Sequence, residues 1–359
     1  MRVSKTMTAV RIHGVEDVRI EVVDRPCTTP GSVLIRNAYA GICGTDLHLF
    51  FTPESFGGDF HHAAPLTGAT WPQILGHEFS GTVVEVGAGV KSISADDNVA
   101  IFPYHWCGKC PPCLAGQTTG CELMAFEGIQ GRSGGMAEFS VVSAEQCFVL
   151  PPSIDLSLGA LVEPMAVAWH TLRVAQLEPA ESVLIVGGGP IGLGIYYAAR
   201  ARGIETVIVS EPSESRRELL QTIGVPHVID PTTEDLPARV RSLTSRSGVD
   251  AVIDAAGSAT AFPEAMRCLA VNGRMVVVAT YQKPYQLTRS LLTAGRTIRN
   301  SEVYTHDDYR DVIDAMAAGL YSTAPSWMET IEVQQVEDAI RELNTGRGMK
   351  TLVRSPSQS

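Results

Sequence analysis

Four cysteines in the segment 107–121 have a spacing that could hold a metal ion. They are Cys107, Cys110, Cys113 and Cys121, in the pattern C-x2-C-x2-C-x7-C, and they make up half of the eight cysteines of the chain. Four thiolates on one short loop can close a tetrahedron around zinc, which leaves no coordination position for a substrate. Unrelated thiols or two disulfides are the alternatives. Because prolines and glycines within the segment supply tight turns, we predict a structural zinc site.

A second set of metal-binding residue types is spread along the chain. Cys43 lies in GICGTDLH, His77 and Glu78 lie in LGHEFSG, and Glu163 lies in LVEPMAVAWH. A catalytic zinc uses three protein ligands of mixed type and leaves a fourth position open, where a bound hydroxyl loses its proton more readily. Each residue alone is a weak indication, since a lone buried cysteine is usually a core residue and a lone glutamate is usually solvated. Their occurrence beside a nucleotide-binding pattern makes them candidates.

That pattern is the segment IVGGGPIGLG, in which a glycine turn separates an apolar strand from a helix. Gly187, Gly189 and Gly192 have G-x-G-x-x-G spacing, which permits a tight turn, close approach of a pyrophosphate and close packing of the helix. A packing turn alone is the alternative. Glu211 ends the next strand about twenty residues later, where a carboxylate binds ribose hydroxyls and repels the 2′-phosphate of NADP. We therefore predict NAD as the cofactor, although Arg216 and Arg217, a few residues further on, could weaken that preference.

The two halves of the chain that position these motifs have different patterns. Residues 1 to about 155 are rich in glycine and proline and contain short β-branched runs such as VLIRNAYA and GTVVEVG, typical of a mostly antiparallel barrel or sandwich. From about residue 181, short apolar strands alternate with helical segments, as in a parallel sheet covered by helices. The C-terminal stretch contains two predicted helices and the strand KTLVR. The pattern alone does not assign that stretch to either half.

The composition limits the classes of function. A net charge of −11 over 359 residues disfavours nucleic acid as a partner. No run of eighteen apolar residues is present, which predicts no membrane span. The N-terminal segment MRVSKTMTAVRIHG has no apolar core of signal-peptide length, so the cytoplasm is the expected location. In a reducing compartment, clustered cysteines favour metal over disulfides.

Together these motifs resemble the zinc-dependent medium-chain alcohol dehydrogenase family. GICGTDLH, GHEFSG, the four-cysteine segment, VEPMAVAWH, GGGPIG and KTLV occur in the family's order and cover nearly the whole chain. The implied fold is α/β, with a GroES-like, mostly-β catalytic domain over 1–160 that carries the structural zinc lobe. A Rossmann domain with a doubly wound parallel sheet follows over 161–300, and 301–359 return to the catalytic domain. The family's dimers and tetramers imply a homodimer or homotetramer.

The resemblance also implies a ligand set for a catalytic zinc. Cys43 and His77 match two ligands of the family's metal. Glu163, which is followed by proline, stands where the liver-type enzymes have a second cysteine, and this resembles the polyol and butanediol branch. Glu78 matches a glutamate that can join or approach the metal. Which of the two glutamates coordinates directly is left open.

Two further residues are implied to move the substrate proton. Thr45 resembles the hydroxyl group that accepts the proton of the alcohol, and His48 resembles the end of the relay to solvent. The long segment between TDLH and GHE is most similar to members that oxidise butanediol. The expected reaction is therefore the NAD-dependent interconversion of (R,R)-2,3-butanediol and acetoin. A sorbitol or threonine dehydrogenase of the same branch is the alternative, and a non-catalytic structural protein that kept the fold is a remote one.

The remaining motifs are assigned to the cofactor turn and the core. Asp254 and Gly257 in VIDAAGS resemble the strand-end turn beneath the nicotinamide ribose, with a helix-capping turn as the alternative. Cys27, Cys147 and Cys268 lie in or beside apolar stretches. We expect them to be small core residues.

Overall fold

A computed structural model describes residues 4–56 and 60–356, which form two units. The first unit runs to Glu163 and resumes at Ala324, and the second unit is Pro164–Thr323. The expected boundaries, after residues 160 and 300, differ most at the second one. The helix His306–Ala317 belongs to the second unit because its buried face packs there and its Asp308 pairs with Arg173.

The first unit consists mainly of short strands separated by turns. Its described strands are β1 (Thr6–Gly14), β2 (Asp17–Asp24), β3 (Ser32–Gly41), β4 (Gln73–Ile74), β5 (Glu78–Val86), β6 (Asn98–Ile101), β7 (Tyr104–His105), β8 (Ala125–Phe126), β9 (Phe139–Ser143) and β10 (Cys147–Val149). Its helices before the second unit are α1 (Gly44–Phe51), α2 (Pro111–Leu114) and α3 (Leu156–Gly159).

The second unit alternates strands with helices. Its helices are α4 (Val162–Ala175), which begins at the boundary, α5 (Pro190–Ala201), α6 (Glu214–Ile223), α7 (Leu236–Thr244), α8 (Ala261–Arg267) and α9 (His306–Ala317). Its strands are β11 (Ser182–Val186), β12 (Thr206–Ser210), β13 (His227–Ile229), β14 (Val249–Asp254), β15 (Leu269–Val277) and β16 (Thr297–Asn300). The return to the first unit adds β17 (Met328–Ile331), α10 (Val336–Leu343) and β18 (Lys350–Arg354).

Strand pairing in the first unit is mostly antiparallel. Within the described ranges, the largest sheet has seven strands in the order β10-β6-β5-β3-β18-β17, with β9 also paired to β3. Strand β18 runs antiparallel to β3, with Leu352 opposite Gly41. The C-terminal stretch thus completes the sheet of the first unit. Val333, Ile340 and Val353 from this stretch lie in the same hydrophobic core as strands β1, β3 and β5.

The second unit contains a parallel sheet of six strands in the part of the chain that the structure describes, in the order β13-β12-β11-β14-β15-β16. The order reverses between β11 and β14. In open parallel sheets, ligands bind beyond the carboxyl ends of the strands at such a reversal. The GroES-like and Rossmann organisation predicted from the sequence is therefore confirmed.

The cysteines outside the four-cysteine segment differ in exposure. Cys268 is buried, as expected, whereas Cys147 is half-buried and Cys27 is exposed. The expectation for Cys27 was wrong because the segment after β2 lies outside the core. None of the helices in the described ranges has the length and apolar character that a membrane crossing needs.

Candidate metal centres and cofactor site

The junction between β3 and α1 positions Cys43. Cys43 is the residue before the first turn of α1, with extended backbone angles. Its amide donates to Asp46 Oδ2 at 2.8 Å, in a side-chain cap that the sequence analysis missed. Asp46 is fully buried. This cap fixes the direction in which the helix leaves the strand, and with it the place of the Cys43 thiol.

Strand β5 brings two further donors to Cys43. His77 immediately precedes β5 and Glu78 is its first residue, directly opposite Gly41 of β3. One donor atom each from Cys43, His77 and Glu78 lie within 4.8 Å of one another. The structure therefore brings together three of the four residues predicted for the catalytic metal.

The environment of these donors is buried and strongly negative. Burial alone would lower the pKa of His77, but the charges of Cys43 and Asp46 outweigh it and raise that pKa to about 10. Burial also raises the pKa of the Asp46 carboxyl. His77 Nδ1 faces Asp46 Oδ1 at 3.9 Å, which leaves Nε2 for a metal.

The polar atoms at this centre fit a bound cation. Glu78 Oε1 is buried in the donor group and has no hydrogen-bond partner among the described residues. Buried polar groups are otherwise nearly always hydrogen-bonded, because an unsatisfied one costs about 1–3 kcal/mol. A thiolate, an imidazole and a carboxylate form the mixed ligand set of a catalytic zinc. The residues present therefore fit the metal.

Glu163 lies near this centre but outside the group of three donors. It is buried in the first turn of α4. Its negative charge contributes to the raised pKa of His77 and of Lys350. The structure thus groups Glu78, rather than Glu163, with the cysteine and the histidine.

Lys350 is a second residue that the sequence analysis missed. It begins β18, is 3% exposed and forms an ion pair with the Glu78 carboxylate. Its ammonium also donates to the Ile42 carbonyl at 2.9 Å. Burial by itself would lower the pKa of Lys350, but the charges of Glu78 and Cys43 raise it. The only signal in the sequence was a lysine at the start of the short strand KTLVR.

The two predicted proton-relay residues lie on α1. Thr45 is half-buried, and its Oγ1 lies 3.8 Å from the Cys43 sulfur. His48 is also half-buried, and burial lowers its pKa below the ordinary value. Histidine with a lowered pKa is neutral at neutral pH and can accept a proton.

The four-cysteine segment forms a second compact donor group. The sulfur atoms of Cys107, Cys110, Cys113 and Cys121 lie within 4.8 Å of one another, and none is in a disulfide. Backbone amides donate to two of them, at 3.2 Å to Cys121 and 3.3 Å to Cys107. A hydrogen bond from the Lys109 amide lowers the pKa of Cys107 to about 6. Four thiolates arranged in this way fit a closed zinc site.

The glycine turn of the second unit requires its glycines. Gly187 has φ of +97°, and a Cβ on Gly192 would lie 1.9 Å from the Gly187 carbonyl oxygen. Gly189 precedes the first turn of α5. The amides at the start of that helix are left available for an anion.

Glu211 lies at the end of β12 beside this turn. The residue is buried, and its carboxylate accepts hydrogen bonds from the amides of Gly188 at 2.7 Å and Ser213 at 2.8 Å. Next to it, a cavity of about 460 Å³ is lined by Gly187, Pro212 and Leu236, among others. The size and place of this cavity suit an adenine nucleoside at the reversal of the strand order.

The two arginines that follow Glu211 have different environments. Arg217 forms an ion pair with Asp230 at 3.1 Å and donates to the Glu211 carbonyl at 3.1 Å. Arg216 lies beside the glycine turn, since a Cβ on Gly189 would be 3.8 Å from its Nη1. Arg217 is therefore held by Asp230 and the Glu211 carbonyl, and Arg216 lies beside the turn that would hold a pyrophosphate.

Asp254 ends β14 and caps the turn that follows it. Its Oδ1 accepts from the amides of Ala256 at 2.9 Å and Gly257 at 3.1 Å, and its Oδ2 accepts from the Tyr281 hydroxyl. Asp254 therefore caps the backbone of this turn, which agrees with the helix-capping turn given as the alternative in the sequence analysis. It also has a side-chain partner in Tyr281 that the motif did not indicate.

Comparison with known proteins identifies the family. Residues 29–152 match the model of the alcohol dehydrogenase GroES-like domain, and residues 190–318 match that of the zinc-binding dehydrogenases. The chain belongs to the zinc-binding dehydrogenase family of alcohol dehydrogenases, as its motifs predicted. It is thus an oxidoreductase of that family.

Individual relatives differ in substrate. The chain is 33% identical to 2-dehydro-3-deoxy-L-galactonate 5-dehydrogenase of Pseudoalteromonas atlantica, over 90% of this chain and 91% of the relative. It is also 33% identical to (R,R)-butanediol dehydrogenase of Bacillus subtilis, over 88% and 90% of the two chains. Both relatives are dehydrogenases, and their names give different substrates.

Solved structures agree with the fold. The crystal structure of 2R,3R-butanediol dehydrogenase from Bacillus subtilis matches with a TM-score of 0.88 and 31% identity, covering 97% of this chain and 99% of the other. A zinc-binding dehydrogenase from Sinorhizobium meliloti bound to NADP matches with a TM-score of 0.88 and 28% identity, covering 98% and 100%. Nicotinamide dinucleotides therefore bind to proteins of this fold.

Proposed function

We propose that this chain is a zinc- and NAD-dependent dehydrogenase of secondary alcohols and vicinal diols. (R,R)-2,3-Butanediol and acetoin are the proposed substrate pair. The observation that carries the proposal is the contrast between the two donor groups of the first unit. One is a closed set of four thiolates, while the other is a mixed set of three donors, Cys43, His77 and Glu78. Three protein ligands leave the fourth position of a tetrahedral zinc for an exchangeable ligand.

The residues at and around the centre of Cys43, His77 and Glu78 have different roles in alcohol oxidation. Zinc held there would supply a Lewis acid that favours loss of the hydroxyl proton. Thr45, close to the Cys43 sulfur, accepts that proton, and His48 passes it to solvent. Asp46 fixes the position of Cys43 and faces His77. Oxidation removes a hydride as well as the proton, and NAD accepts the hydride.

NAD is proposed over NADP because of the charges around the nucleotide cavity. Glu211 is a buried carboxylate held in place by two backbone amides. The cavity beside Glu211 is lined by Glu234, Asp235 and Glu264, among others. A 2′-phosphate brings about two negative charges into such a site and is repelled. Of the two arginines that could offset this repulsion, Arg217 is paired with Asp230, and Arg216 lies beside the glycine turn that would hold the pyrophosphate.

The alternative substrate class is a sugar alcohol, because relatives include a probable D-xylulose reductase. A panel of substrates, followed as NADH formation at 340 nm, separates the two classes. We would compare (R,R)-, meso- and (S,S)-2,3-butanediol, sorbitol, xylitol and threonine, each with NAD and NADP. Preference for (R,R)- and meso-butanediol with NAD supports the proposal. Preference for a sugar alcohol keeps the reaction class and refutes the substrate, and preference for NADP refutes the role of Glu211.

A further inference from the structure

Lys350 is a buried cation whose role the proposed function does not explain. Lysine is almost never fully buried unless it is paired. Lys350 has two partners, the Glu78 carboxylate and the Ile42 carbonyl, and both lie at the candidate metal centre. A hydrophobic side chain of similar length would fill the same space at no cost of desolvation. The ammonium is therefore placed for an electrostatic purpose.

Glu78 lies between this ammonium and the metal donors. Its carboxylate is in the ion pair with Lys350 and also in the donor group with Cys43 and His77. Its Oε1 has no hydrogen-bond partner among the described residues. Two cations, the ammonium and a bound metal ion, therefore compete for the charge of one carboxylate.

The backbone is shaped around this pair. Gly41 lies opposite Glu78 in the β3–β5 ladder and opposite Leu352 in the β3–β18 ladder. A Cβ on Gly41 would lie 1.9 Å from Glu78 Oε2 and 2.9 Å from Lys350 Cε. Any other residue at this position would push the carboxylate and the ammonium out of place. The glycine keeps the space that both side chains occupy.

The charges at the centre need a cation besides the metal. Three buried carboxyl groups, those of Asp46, Glu78 and Glu163, lie at or near this centre together with the Cys43 thiol. A divalent ion carries only two positive charges, fewer than the negative charges that these four groups carry when ionised. Lys350 supplies one more, and it supplies it at Glu78. It thereby weakens the hold of that carboxylate on the metal relative to the hold of Cys43 and His77.

We propose that Lys350 is a positioning residue that competes with the metal for Glu78 and so sets the affinity of the centre for zinc. The inference rests on the proposed function insofar as the centre binds zinc. A residue of β18, which belongs to the C-terminal return, would thus determine how strongly Glu78, the first residue of β5, binds the metal. A neutral residue in place of Lys350 leaves Glu78 entirely to the metal.

The test is a double-mutant cycle on zinc affinity in the full chain. The variants are Lys350→Met, Glu78→Gln and the combination of both, with Lys91→Met as a control at an exposed lysine. Zinc retention at the weaker of the two sites is measured by competition with a chelator. We expect Lys350→Met to bind zinc at least tenfold more tightly, and Lys91→Met to match the wild type. In the Glu78→Gln background, Lys350→Met should change the affinity less than threefold.

If Lys350→Met binds zinc as tightly as the wild type or more weakly, the inference is overturned. It is also overturned if Lys350→Met raises the zinc affinity equally in the Glu78→Gln background, because that would show only a general effect of charge. If the wild type binds a single zinc per chain, both the inference and the proposed function fail. If it binds two and the cycle shows no coupling, only the inference fails.

Without metal, Lys350→Met leaves the buried Glu78 carboxylate without its ion pair, which would impair folding. A second measurement covers that case. The melting temperature is measured with and without zinc for each variant. We expect zinc to raise it more in Lys350→Met than in the wild type, and the double variant to lose this extra gain. An equal gain in the wild type and in Lys350→Met contradicts the inference. Lys350→Arg, which keeps the charge, should stay within threefold of the wild-type zinc affinity.

Discussion

Replacing Asp46 by Asn tests how the first unit holds its candidate metal. The Asn side chain keeps an oxygen that accepts from the Cys43 amide, so the start of α1 is preserved. What the variant loses is the negative charge that faces His77 at 3.9 Å. The expected result is therefore weaker metal binding in a protein that still folds.

The magnitude follows from the distance. Two unit charges about 4 Å apart interact by about 4 kcal/mol at an effective dielectric constant of about 20. A metal-bound imidazole carries only part of a unit charge, so we expect roughly half of this, about 2 kcal/mol. That corresponds to a loss of ~30-fold in zinc affinity, within the 10- to 100-fold typical of partners of metal-binding histidines.

The assay is chelator competition on Asp46→Asn, with zinc per chain measured at each chelator concentration. Asp155→Asn is the matched control, because Asp155 also accepts from a helix-start amide, that of Leu158 at 2.9 Å, in another part of the unit. A change of less than threefold at the weaker site would refute the role of the charge. An equal loss at the four-cysteine site would show that the whole unit had been disturbed.

Four further variants test the remaining assignments. Cys110→Ser should lower the melting temperature by several degrees and remove one zinc, because a closed structural site is coupled to folding. Cys43→Ser should leave the protein folded but remove the other zinc and all turnover. Gly192→Ala should weaken NAD binding at least tenfold in a fluorescence titration, since its Cβ would lie 1.9 Å from the Gly187 carbonyl oxygen. For Asp308, burial would raise the pKa, but hydrogen bonds from His170 and Thr305 outweigh it and lower the pKa to about 2. Asp308→Asn should therefore cost about 2 kcal/mol in urea unfolding at pH 6, and the difference from the wild type should shrink as the pH falls to 3.

The sign of the Asp308 prediction comes from the direction of its shift. A carboxyl whose pKa is lower in the folded state stabilises the protein above its unfolded pKa of about 4, and this contribution is lost as the pH falls toward the folded value. A constant difference between pH 6 and pH 3 would contradict it. Retained turnover in Cys43→Ser, or unchanged NAD binding in Gly192→Ala, would contradict the other assignments. Cys147→Ser, at a half-buried thiol outside both donor groups, is the control for the cysteine variants.

Local patterns carried most of what the sequence could predict. The glycine turn, the strand and helix around it and the four-cysteine segment each occupy one short stretch, so their geometry depends on neighbours in the chain. The contact of Cys43 with His77 and Glu78 was predicted only through the order of the family's motifs. It depends on the pairing of β3 with β5, which no single stretch encodes.

The features that the sequence did not predict depend on contacts between residues that are far apart in the chain. Lys350 reaches Ile42 and Glu78 only because β18 pairs with β3, and the strand KTLVR shows no metal-binding pattern. Asp46 was hidden inside GICGTDLH, where it is a helix cap as well as the partner of His77. The boundary expected after residue 300 shifted to Ala324 because the buried face of α9 packs in the second unit.

The two donor groups differ in when they can form during synthesis. The four cysteines belong to the continuous segment 107–121, so a nascent chain can fold around zinc as soon as that segment has left the ribosome. The other centre joins residues that are far apart in the chain, and its Lys350 hydrogen-bonds to a residue 308 positions earlier. Closing so long a loop is slow and comes after the local steps. We therefore expect a nascent chain that ends before β18 to bind zinc in the four-cysteine segment while the other centre still lacks Lys350.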